Sequence, residues 1–110
     1  MNIKFKGKSV YNISNIFKYD PFALIIHEDS SKSLIFNNFE LARFWYRNGY
    51  IIENVAKKII VKKDIKDVDF DSELEMFCVF SDNESSLEIL CDILKKKILK
   101  NGGKNEQNKN

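Results

Sequence analysis

Polar and apolar residues alternate from the first residues of the chain. In IKFKGKSVYNI, Ile3 and Phe5 oppose Lys4, Lys6 and Lys8, which predicts a strand with one basic face. SNIFKYD predicts a helical turn closed by Asp20 and Pro21. FALIIHE is short and continuously apolar, as in a buried strand. The polar run EDSSKS follows as a loop, then SLIF as the second arm of a hairpin.

Asn37 and Glu40 have the spacing of a capping box, so a helix is expected from Asn38 to Asn48, with Gly49 as its left-handed stop. On that helix Phe39, Leu41, Ala42, Trp45 and Tyr46 form the buried arc, while Glu40, Arg43, Phe44 and Arg47 face outward. KKIIVKK alternates weakly and reads as a strand, DIKD as a turn, and VDFDSELEMFCVFS as a strand of fourteen residues. In that strand Val68, Phe70, Leu74, Met76, Cys78 and Phe80 share one face. A second capping box, Ser81 with Glu84, opens a last helix that runs to about Asn101 and stops at Gly102. Its core stripe is Leu87, Leu90, Cys91, Leu94 and Ile98, with Ile89 and Ile93 as a ridge to one side.

The order is β, ββ, α, ββ, α. It describes an α+β domain with a small, mainly antiparallel sheet and two main helices on one face. A helix carrying Arg43 and Arg47 ahead of a lysine-bearing hairpin also has the order of a winged-helix arrangement. Residues 1–101 are expected to form one globular domain and residues 102–110 a disordered polar tail. A chain of 110 residues can bury about two thirds of its surface, enough for a core without staples.

Composition narrows the function classes. No apolar run exceeds FALII, which is far short of the roughly 20 residues a membrane helix needs. MNIKFKGKSV lacks an apolar h-region, so no signal peptide is expected. Cys78 and Cys91 have no metal or redox spacing and are expected buried and reduced, as in a cytoplasmic protein. The net charge of +2 and pI near 8.5 are only mildly basic. Enrichment in Ile, Lys and Asn reflects an AT-rich genome, and with the small size it fits a protein of a mobile element, phage or virus.

Asp67, Asp69, Asp71, Glu73 and Glu75 recur at every second position, which would line one strand face. Folding KKIIVKK back through DIKD sets Lys62 opposite Asp69, Lys58 opposite Glu73 and Val61 against Phe70, so the acids are expected to form a self-neutralised face. Phosphate mimicry is the sharper alternative. A calcium site is disfavoured, because a flat strand does not wrap oxygens around an ion. His27 beside Glu28 and Asp29 lacks a placed nucleophile or oxyanion site. Glycine is too scarce for a phosphate-binding loop. No catalytic residue, metal or cofactor is expected.

These readings converge on a non-enzymatic binding module. DNA is the favoured partner, with Arg43, Arg47, Lys58, Lys62, Lys63 and Lys66 as its contacts. The alternative is a protein-binding inhibitor or adaptor that uses Phe44, Ile89 and Ile93, or the acidic strand. The ridge on the last helix also suits a homodimer.

Overall fold

The computed structural model describes residues 3–5, 8–12, 21–27 and 29–100, with backbone alone for 3–5 and 8–12. Strands β1 (Ile3–Phe5), β2 (Lys8–Asn12), β3 (Ala23–His27) and β4 (Lys32–Phe36) precede helix α1 (Gly49–Lys63). Strands β5 (Asp69–Phe70) and β6 (Phe77–Ser81) and helix α2 (Glu84–Ile98) complete the order. All strand pairs are antiparallel, in the spatial order β1-β2-β3-β4-β6-β5. The α+β class with two main helices is therefore as expected. The N-terminal strand is in fact a hairpin of two, with Ile3 opposite Val10. The turn expected at 14–20 and the tail at 102–110 lie outside the described residues.

Antiparallel partners share a face, so the ladder sorts the core. Leu24 pairs with Leu34 and Leu34 with Val79. With Phe22, Phe36 and Phe77 they form the face that meets Ile52, Ala56 and Ile59 of α1 and Leu87, Leu90, Cys91, Leu94 and Ile98 of α2. Phe22 and Phe36 stack at 4.8 Å between ring centroids. Ala23, Ile25, Ile35 and Cys78 form a second buried cluster on the opposite face. Burial on both faces explains why FALIIH is a continuous apolar run rather than an alternating one.

The segment 49–63 departs most from expectation. KKIIVKK is not a strand but the last half of α1. Ile52, Val55, Ala56, Ile59 and Ile60 recur at helical spacing, and over fifteen residues that period outweighs the local alternation of 57–63. Gly49 does not stop a helix. It is the first residue of α1, and Asn48 is the cap, its side chain accepting the Ile51 N–H at 2.9 Å. Gly49 is glycine because of a close approach. Its N–H donates to the Leu74 carbonyl at 2.9 Å, and a Cβ would overlap the carbonyl oxygens of Glu73 and Met76. Helix α1 ends in a Schellman turn. Asp64 adopts φ 59°, and the N–H of Ile65 donates to the carbonyl of Ile60 at 2.9 Å.

The fourteen-residue strand is also two strands. Glu73 bridges Met76, so the chain reverses at Leu74–Glu75. Phe70 pairs with Val79, an even position with an odd one. Val68 and Phe70 therefore pack on the main core, while Met76 and Phe80 pack on the second cluster. The same reversal breaks the acidic row. Asp69, Asp71 and Glu73 stay on one arm, Glu75 sits at the tip, and the ladder with Lys58 and Lys62 does not form. Asp67 instead accepts a hydrogen bond from the Ser86 hydroxyl at 2.8 Å. That bond is the main reason its carboxyl titrates below the usual range.

Helix α2 follows its expected stripe, although Asn83 rather than Ser81 is the cap and accepts the Ser85 N–H at 3.0 Å. It ends at Ile98, before Gly102. Both cysteines are buried and free, and burial pushes the Cys91 thiol up to about 12.

Candidate nucleic-acid interface

Helix α1 has one face in the core and another that lines an open groove. Ile52, Ala56 and Ile59 point into the core. Val55, Lys58, Ile59, Lys62 and Lys63, spaced i, i+3, i+4, i+7 and i+8, line a groove of about 540 Å³. Helix α2 supplies Ile93 and Lys97, and Tyr46 closes the set. The floor is apolar, the rim carries four ammonium groups, and no carboxylate lines it among the described residues.

None of Lys58, Lys62, Lys63 and Lys97 has an ion-pair partner among the described residues. By contrast, Lys57 pairs with Glu53 at 3.0 Å and lies 5.9 Å from the Phe70 ring centroid. Lys62, Lys63 and Lys97 lie in the last turns of their helices, where the macrodipole favours a cation. Lys58 lies a turn further in, and its i,i+4 spacing to Lys62 is a like-charge pair worth about 0.2–0.5 kcal/mol against the helix. The dipole thus accounts for three of the groove's four lysines and leaves Lys58 unexplained.

The arginine segment is not the helix expected at 38–48. Only Phe39–Leu41 is helical, as a 3-10 turn, and Asn38 makes no side-chain cap. Ala42 then bridges Leu99: the Arg43 N–H donates to Ile98 at 2.6 Å and the Lys100 N–H to Leu41 at 2.9 Å. These bonds pin 41–43 against the chain leaving α2 and prevent the helix from propagating. A tight turn follows, closed by the Tyr46 N–H to the Arg43 carbonyl at 2.9 Å. Ala42 is fully buried, and Phe39 and Tyr46 pack against the core, as expected of them. Trp45 is not core: it is 71% exposed, beside Phe44 at 72%. Leu41, also expected inside, is exposed.

The structure therefore gathers Lys58, Lys62, Lys63 and Ile93 in one groove but sets the other candidates around it. Arg43 and Phe44 belong to the exposed turn 43–46, whose last residue, Tyr46, lines the groove, and Arg47 follows it. Lys66 stands apart in the loop after α1, 3.4 Å from Asp64. Ile89 is exposed on α2. The hairpin on which the winged-helix likeness rested is not formed by 57–66. Lys97, Tyr46 and Trp45 were not among the site residues expected from the sequence. Lys97 was legible, since it stands four residues after Ile93 on the same helix. His27 is buried, hydrogen-bonded to Ser33 and packed 5.5 Å from the Phe80 ring, a structural setting.

No protein-family model, curated protein or solved structure matches this chain. Among the described residues, no His, Cys, Asp and Glu group is arranged to hold a metal, and no helix is long and apolar enough to cross a membrane.

Proposed function

We propose that this chain is a non-enzymatic DNA-binding module whose α1–α2 groove receives the phosphate backbone. The observation that carries the reading is the groove itself: Lys58, Lys62, Lys63 and Lys97 around an apolar floor, with no carboxylate among the described lining residues. Clustered ammonium groups with no anionic partner among the described residues repel one another and gain most from a polyanion. Arg43 and Arg47 extend the positive surface past Tyr46, and Lys66 adds to it only at the far end of α1. A homodimer formed through Ile89 would double this surface. The setting proposed is the cytoplasm, the host's if the chain is viral. Phosphate mimicry of a protein partner has less support, because a hairpin tip interrupts the acidic row.

Fluorescence anisotropy with labelled DNA at low salt tests the reading. Lys58→Glu with Lys62→Glu should weaken binding at least tenfold, since two phosphate contacts become repulsions. Affinity unchanged by the double reversal, or no DNA bound by the wild type, would remove it.

A further inference from the structure

The turn that follows Ala42 places its two largest side chains where turns usually carry small or polar ones. The Tyr46 N–H to Arg43 carbonyl bond makes 43–46 a β-turn, with Phe44 and Trp45 at its two central positions. Those positions favour Gly, Pro, Asn, Asp and Ser. Both rings stand mostly in water, packed edge to face with centroids 5.2 Å apart. Burial would have been favourable for either, so their exposure adds nothing to the stability of the fold. The turn is braced as well. Arg43 N–H is bonded to Ile98, and Arg47 Nε donates to the Ala42 carbonyl at 3.3 Å. Arginines flank the rings on both sides in sequence, and Tyr46, the next residue, lines the lysine groove.

We infer that Phe44 and Trp45 form a stacking platform for unpaired bases, so that the nucleic acid taken by the groove is single-stranded. This rests on the groove reading above. Bases in a duplex already stack on one another, whereas a single strand offers free π-faces. An aromatic pair on a braced turn beside a cationic groove has the two components of single-strand recognition: rings for bases and ammonium groups for phosphates. Guanidinium groups at Arg43 and Arg47 complement the same polyanion and can stack on further bases.

The test compares a labelled single-stranded oligothymidylate with a blunt duplex of equal length, using the full chain at low salt. Trp45 is the only tryptophan, so its emission reports the platform directly. The single strand should bind at least tenfold tighter than the duplex and quench Trp45 saturably. Phe44→Ala and Trp45→Ala should each weaken single-strand binding roughly five- to a hundred-fold, with duplex binding moved less than about twofold, and Trp45→Phe should retain most of it. Circular dichroism confirms that the variants fold. Three results overturn the inference while leaving the groove standing: equal or stronger duplex binding, unquenched Trp45 at saturation, or single-strand binding indifferent to both alanines. The last would assign the pair to contact with a protein. Failure of both oligonucleotides to bind removes the groove reading, and the platform with it.

Discussion

Phe36 and Trp45 lie close in the chain and meet opposite fates. Phe36 ends β4, stacks on Phe22 and is sealed beneath both helices with Phe77. Trp45 caps a tight turn and stands in solvent beside Phe44. The difference is set by the backbone. In β4 the ladder to β3 and β6 directs alternate side chains to the helical layer. At 41–43 the hydrogen bonds go to the segment after α2, and the bridge puts the small Ala42 inward. The tight turn that follows then drives the large rings out. Aromatic mass in this protein therefore serves two ends: core cohesion in the strands and a projecting surface at the turn.

Substitution should separate the two regions sharply. Phe77→Ala should destabilise the fold by about 3–5 kcal/mol through lost burial and a cavity. Trp45→Ala should change stability by no more than about 0.5 kcal/mol, as surface substitutions do. Urea titrations of both variants measure the contrast, and a large loss for Trp45→Ala would merge the two classes. Gly49→Ala comes next, at about 3 kcal/mol, because its methyl group overlaps the Glu73 and Met76 carbonyls. It forces the hairpin tip away from the start of α1, just past the aromatic turn, and thermal unfolding should show the loss. Asn48→Ala removes only the cap and should cost about 1 kcal/mol by the same assay.

The smallest effect concerns pH. The Ser86 hydroxyl lowers the Asp67 pKa in the folded chain. Its contribution is therefore present above the ordinary value of 3.8 and fades as pH falls through the lower folded one. Asp67→Asn should flatten the stability profile slightly below pH 4 and change nothing at pH 7 beyond the loss of one hydrogen bond. Denaturation curves at pH 3 and pH 7 read this out. It lies far from the aromatic contrast in size, and an effect as large as that of Phe77→Ala would contradict the ranking.

Much of the sheet and the last helix was legible from local periodicity. β3 and β4 lie where short apolar runs put them, β6 lies within the alternating stretch, and α2 lies where helical spacing put it. α1 was obscured because KKIIVKK satisfies a strand pattern over seven residues and a helical one only when read back to Ile52. The β5–β6 reversal was hidden for a different reason. A two-residue tip keeps even positions apolar on both arms while exchanging the face they occupy. For the site, Lys58, Lys62 and Lys63 were named from sequence as a basic cluster, but on a hairpin rather than a helix. The exposure of Trp45 was beyond sequence reasoning, because it follows from hydrogen bonds between residues 41–43 and 98–100, far apart in the chain.

The central claim is that the α1–α2 groove holds phosphates. The dependence of DNA affinity on salt tests it most directly, because it counts displaced counterions rather than overall charge. With the four groove lysines engaged, log affinity for a single strand should fall against log salt with a slope of about −3 or steeper. Lys58→Ala with Lys62→Ala should make the slope shallower by roughly 1 to 2. A slope left unchanged by the double substitution, with binding intact, would place the phosphates elsewhere and contradict the account.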